Sequence, residues 1–220
     1  MINELIQCDC MNYMRTCKDK QFDLAIVDPQ FGIRMSKQIG KKKNEKGDKW
    51  GNKKWDEEPP RPEYFSELFR VSKNQIIMGG NYFNLPPTRC FIVWDKVQRI
   101  DQADCEFAWT SFDSSARIFT YPRSNLQGFR NPYRFHPTEK PIEYYKYLLK
   151  NYAHPGDTLL DTHSGSGSFR IAAYDMGFDL VSCEIDADYC RDNEARYQAH
   201  IMQQELIPVQ EIQQLTFGDK

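Results

Sequence analysis

TLLDTHSGSGSFRIAAYDMG, residues 158–177, decides the fold. An apolar run stops at Asp161, glycines stand at 165 and 167, and a helix-forming stretch follows. Glycine lets a chain turn sharply and lets a ligand approach the backbone. The helix that follows offers unpaired N–H groups at its start. LVSCEID, 180–186, reads as the next strand, and Glu184 at its end lies 17 residues after Gly167. An acid in that place suits the two hydroxyls of a ribose. Taken alone, the glycine pair fits an ordinary tight turn better.

The phosphate-binding alternatives fail on composition. A dinucleotide fingerprint needs a third glycine where Arg170 stands, and no G-x-x-x-x-G-K-[ST] occurs. S-adenosylmethionine carries a ribose, an adenine and an amino-acid tail but no phosphates, and suits the pattern better.

Outward from this core, strands and helices alternate. NELIQC (3–8), FDLAIVD (22–28) and QIIMGG (75–80) read as strands, and CFIVWDK (90–96) with CEFAWTSF (105–112) as an antiparallel hairpin with a long connection. MNYMRTC (11–17), PEYFSELFRVSK (62–73), PIEYYKYLLKNY (141–152) and the segment from Ala187 read as helices. Residues 113–135 read as an irregular recognition insertion. The alternation predicts a mostly parallel sheet covered on both faces, in a single α/β domain over 1–220.

A hydrophobic fraction of 40% and 14% aromatics support a folded globule. No apolar run is long enough for a membrane span, and the N-terminus lacks the pattern of a signal peptide. Seven cysteines with no C-x-x-C pair suit reduced thiols in a cytoplasmic protein; no metal is expected. Cys8 and Cys10 read as alternate positions of a strand. The net charge of −2 is unevenly spread: residues 34–54 hold nine Lys or Arg against two acids, leaving −9 on the remainder. This basic loop, continued to 56, suits a solvated surface or the phosphates of a nucleic acid.

Two further motifs join the glycine turn: VDPQFG at 27–32 and HPTEKP at 136–141. Together the three resemble the DNA amino-methyltransferases, in the permuted group whose catalytic motif precedes the cofactor motif. The resemblance extends from Cys8 to the helix after Glu184, and the WDK and AWTSF stretches are similar to small methylases of phages and prophages. It implies a Rossmann-like S-adenosylmethionine-dependent methyltransferase fold with a seven-stranded sheet. It also implies methylation of the adenine amino group in double-stranded DNA, with direct transfer to a flipped-out base. An aspartate opening the catalytic motif leans toward adenine over cytosine, where serine is commoner.

Residue by residue, the resemblance implies catalytic roles for Asp28, Pro29, Gln30 and Phe31. Asp28 and a motif carbonyl would accept the two amino protons of the base, and Phe31 would stack on it. The cofactor would be held by Asp9, Cys10, Asp28, Thr138, Lys140 and Pro141, and by Asp161, Thr162, His163, Ser164, Gly165, Ser166, Gly167 and Ser168, with Glu184 and Ile185 at the ribose. DNA contacts are expected from Lys41, Lys42, Lys43, Lys53, Lys54, Arg117, Arg123, Arg130 and Arg134. A homodimer is compatible with this picture. Gln30 stands where the family has a second proline, so that loop keeps a donor and more freedom. Thr162-His163 stands where the family has Pro-Phe, giving a more polar ring that can still pack under the cofactor. The alternatives are a cytosine amino-methyltransferase, a catalytically weak DNA-binding relative, or an enzyme acting on RNA or protein.

Overall fold

The computed structural model describes residues 1–33, 57–98, 103–126 and 138–206. The basic loop 34–56, with Lys41, Lys42, Lys43, Lys53 and Lys54, lies outside the described residues, as do Arg130 and Arg134. The elements run β1 (Asn3–Gln7), α1 (Cys10–Thr16), β2 (Phe22–Val27), α2 (Pro62–Val71), β3 (Ser72–Met78), β4 (Phe91–Asp95), β5 (Cys105–Thr110), β6 (Arg117–Thr120), α3 (Ile142–Tyr152), β7 (Thr158–Asp161), α4 (Ser168–Met176), β8 (Asp179–Glu184) and α5 (Ala187–Leu206).

The strands form one sheet in the order β1-β8-β7-β2-β3-β5-β4-β6. β5 pairs antiparallel with both β3 and β4, and the other pairings are parallel. Seven strands therefore point one way and β5 the other. The sheet has eight strands rather than the expected seven. The extra strand is β6, which lies inside the segment read as irregular and pairs with β4 at the sheet edge. Four residues with mostly exposed side chains carry too little alternation to announce a strand.

Alternation along β2 builds both faces at once. Leu24 and Ile26 enter one core with Ile76, Trp94, Tyr144 and Leu148. Ala25 and Val27 enter the other with Leu68, Ile77 and Trp109. α3 and α4 cover the first face, and α1 and α2 the second. Pro62 opens α2 within its first turn, where a missing N–H costs nothing.

The parallel strands end together. Cys8 follows β1, Asp28 follows β2, Gly79 follows β3, Asp161 closes β7 and Glu184 closes β8. Because β5 runs in reverse, its first residues, including Glu106, meet that same edge. The sequence order thus delivers five strand ends and one strand start to a single rim.

Candidate active site

A cleft of about 1460 Å³ opens along this rim. It brings together Asp28, Pro29, Gln30 and Phe31 with Asp9, Cys10, Thr138 and Lys140. Thr162, His163, Ser164, Gly165, Ser166, Glu184, Ile185 and Arg123 also line it. Asp161, Gly167 and Ser168 sit behind the wall, and Pro141 caps α3. The DPQF segment and the glycine turn, more than 130 residues apart in the chain, therefore share one cavity.

The glycine turn is held from beneath. Ser164 N–H donates to the Cys183 carbonyl at 2.9 Å, and Gly167 N–H to the Ser164 carbonyl at 2.9 Å. Gly167 is left-handed at φ +75°, and a Cβ there would lie 2.4 Å from Asn193 Oδ1. Asn193 is fully buried; it donates to Ser164 Oγ at 2.9 Å and accepts from Arg170 at 3.0 Å. Arg170, at the place a dinucleotide fingerprint gives to glycine, is buried. It reaches Asn3 and Glu194 and lies 4.2 Å over the Tyr197 ring. Arg196 donates to the Ser166 carbonyl at 2.8 Å and pairs with Glu139 at 2.8 Å, joining the turn to the 138–141 segment.

Glu184 is fixed at both oxygens. Gly165 N–H donates to Oε2 and Asp186 N–H to Oε1, each at 2.9 Å. Burial raises its carboxyl above the ordinary range, against these donors. A carboxylate oxygen has room for a second donor, so this orientation still suits ribose hydroxyls. Asp9 spends its carboxylate differently, capping α1 through the N–H groups of Met11 and Asn12. Cys10 opens that helix and is not a strand residue, correcting the alternate-strand expectation for Cys8 and Cys10. All seven cysteines are free thiols. No metal-holding group of three or more ligand-type residues occurs among the described residues.

Burial raises the Asp161 carboxyl to about 8; the His163 N–H opposes this, while Asp28 and Glu184 add to it. Without a cationic ligand beside it, Asp161 thus keeps its proton in the fold, while the unfolded chain loses it near pH 4. Because the folded state binds the extra proton, stability is expected to fall as pH rises from about 4 toward 8. Asp161→Asn should flatten that interval in a denaturant series run at several pH values. Parallel curves for the two proteins would contradict the assignment.

The Thr162-His163 departure builds a small relay. Tyr64 and Thr162 hydroxyls share a hydrogen bond at 2.6 Å, and Thr162 Oγ1 lies 2.9 Å from His163 Nδ1. Burial lowers His163 to about 4, so the ring is neutral at physiological pH. A neutral ring packs edge-on to Tyr64 at 5.4 Å between centroids.

Phe31 lies on Gly79, where a Cβ would come 2.2 Å from the ring. It stacks on Tyr82, with centroids 4.9 Å apart and planes 14° from parallel. Gly79→Ala is expected to push Phe31 off this stack and to weaken DNA retention more than cofactor retention, read by separate binding titrations. Equal affinities for wild type and variant would contradict it.

A charge chain completes the cleft. Lys140, buried, holds Asp28 Oδ2 at 2.7 Å and Glu106 Oε2 at 3.3 Å; Lys96 holds Glu106 Oε1 at 2.6 Å. Sequence patterns assigned nothing to Lys96, Glu106, Tyr64, Tyr82 or Arg196. Of the expected DNA residues, Arg123 reaches the cleft. Arg117 lies on β6 outside it, in step with Phe119, whose ring packs on Tyr144 and Tyr147 of α3. Among the described residues no helix is long and apolar enough to cross a membrane.

Comparison with known proteins agrees with this architecture. YubD of Escherichia coli (strain K12), named as a methylase, is 24% identical over 218 residues, covering 90% of this chain and 91% of that one. The structure of M1.HpyAVI with SAM superposes at TM-score 0.55 and 18% identity, covering 89% of this chain and 100% of that one. The PvuII DNA methyltransferase, described as cytosine-N4-specific, superposes at TM-score 0.60 and 12% identity, covering 90% of this chain and 86% of that one. These likenesses speak for the fold. A family model described as DNA methylase, of the N6/N4 methyltransferase group, matches residues 12–195, and the chain belongs to that family.

Proposed function

We propose that the protein methylates the exocyclic amino group of adenine in double-stranded DNA, with S-adenosylmethionine as donor. The observation that carries this is the shared cleft: Asp28 and Phe31 face the same cavity as the glycine turn and Glu184. Membership of the DNA methylase family and the aspartate that opens the catalytic motif support the same reading. The residues fit such a cofactor. Glu184 is oriented by two backbone donors at the cleft wall, where it suits a ribose diol, and Ser164, Gly165 and Ser166 of the glycine turn line the same cleft.

When bound, S-adenosylmethionine supplies an electrophilic methyl group on a sulfonium. The chain's residues supply position. The amino nitrogen of adenine is a weak nucleophile because its lone pair is delocalised into the ring. Asp28 accepts a hydrogen bond from one amino N–H and the Pro29 carbonyl from the other, which draws the nitrogen toward tetrahedral geometry. The one proton lost as the amine is methylated leaves through Asp28 to solvent. Phe31 offers its face to the extruded base. Alignment and fixed dipoles carry the rate in this scheme. Lys and Arg residues of the basic loop and Arg123 serve the phosphates.

The test is incubation with methyl-labelled S-adenosylmethionine and, in parallel, duplex DNA, RNA or cell protein, followed by digestion of the nucleic acids to nucleosides. Label in N6-methyl-2′-deoxyadenosine is expected. Label in N4-methylcytosine would overturn the base assignment, and label only in RNA or protein would overturn the substrate assignment.

A further inference from the structure

Asp28, Lys140, Glu106 and Lys96 form an alternating chain of charges at the mouth of the cleft, and Lys140 and Lys96 are almost wholly shielded from water, at 4% and 7% side-chain exposure. Buried ion pairs are poor stabilisers on average, because desolvation offsets the Coulombic gain. Four such groups next to the residue assigned to the base therefore invite a role other than stability.

The geometry is asymmetric. The Lys140 ammonium sits 2.7 Å from Asp28 and 3.3 Å from Glu106. Glu106 uses one oxygen for each lysine, so its plane is set from both sides. Burial alone would raise the Glu106 carboxyl; the two ammonium groups outweigh it and bring it down to about 2. The anion is thus secure across the physiological range. β4 and β5 pair directly at this point, Trp94 opposite Glu106, and Lys96, just past β4, continues the ladder through its N–H to the Asp104 carbonyl at 2.9 Å.

We propose that Glu106, clamped by Lys96, is a positioning residue for methyl transfer: it shares the Lys140 ammonium with Asp28 and keeps that carboxylate turned to accept from the target amine. The proposal rests on the assignment of Asp28 made above. Without Glu106 the buried ammonium has Asp28 as its nearest remaining anion. Asp28 already holds that ammonium at 2.7 Å, so with the Glu106 anchor gone the pair is fixed from one side only, and the Asp28 carboxylate shifts with Lys140 away from the base.

Glu106→Gln removes the charge and keeps the shape. Its single-turnover transfer rate is expected to fall about 10- to 100-fold, as small misplacements near chemistry do. The dissociation constants for S-adenosylmethionine and for duplex DNA should stay within about twofold, since neither ligand is held by Glu106 in this scheme. Lys96→Met should reproduce part of the loss, and adding it to Glu106→Gln should cost little more, because the two act as one unit. Lys96→Met also carries the test if Glu106→Gln does not fold, as judged by thermal melting. An unchanged rate in both variants, or a rate loss matched by equal losses of cofactor and DNA affinity, would overturn the proposal. Asp28→Ala, run beside them, separates the two failures. If it loses transfer while the Glu106 and Lys96 variants do not, only the positioning role is lost. If it keeps transfer, the assignment of Asp28 itself has failed.

Discussion

Asp28→Ala is expected to slow methyl transfer by about 10²- to 10³-fold while cofactor affinity stays within a few-fold. That is the usual cost of removing one preorganised polar partner of a reacting group. The side chain closes no part of the ribose end of the cleft, where Glu184 is held by Gly165 and Asp186. It does hold Lys140, but Glu106 remains as a second anion for that ammonium. The variant should therefore fold. Asp28→Asn, which keeps a carbonyl acceptor but loses the charge, should fall between wild type and alanine. Rapid-quench single-turnover kinetics and a cofactor titration together check the pattern. A cofactor affinity that collapses in parallel with the rate would mean that Asp28 holds the cofactor rather than the base.

Gly167→Ala is expected to damage the fold itself. The residue is left-handed at φ +75°, and the added Cβ would fall 2.4 Å from the Oδ1 of a fully buried asparagine. Asn193 has nowhere to retreat: it holds Ser164, the Gly165 carbonyl and Arg170 at once. Strain at a positive φ and overpacking each cost about 1–3 kcal/mol, so a combined loss of about 3 kcal/mol is expected. For a chain of this size that corresponds to a fall in Tm of about 6–12 °C. Gly177→Ala makes a useful control, since it has a similar φ of +76° but nothing within 4 Å of its Cβ. It should cost only the backbone strain. Equal melting points for the two variants would show that Asn193 does not press on the turn.

These expectations depend on features of unequal visibility in the sequence. The glycine turn, the terminal Glu184 and the DPQF segment could be read directly, because each is a local pattern whose geometry follows from a few adjacent residues. The β4–β5 hairpin was legible for the same reason, as two apolar runs bounded by polar residues. β6 was not, since an edge strand of four residues buries little and needs no strict alternation. Asp9 was legible as a rim residue, but its carboxylate caps α1, a competition between ligand and helix end that composition cannot settle. The charge chain was invisible for a different reason. Lys140 and Asp28 are 112 residues apart, and Glu106 and Lys96 come from strands of opposite direction. Only the assembled sheet brings them together. His163 looked like a more polar substitute for an aromatic; in the fold it is a neutral ring packed on Tyr64 beside Thr162.

The most direct measurement is a structure of the protein bound to a non-transferring cofactor analogue and a short duplex containing its target. The account predicts one adenine outside the helix, its amino nitrogen about 3 Å from the Asp28 carboxylate and its ring against Phe31. The ribose of the analogue should meet Glu184. An extruded base seated away from residues 28–31, or an analogue bound outside the cleft between the glycine turn and Glu184, would contradict it.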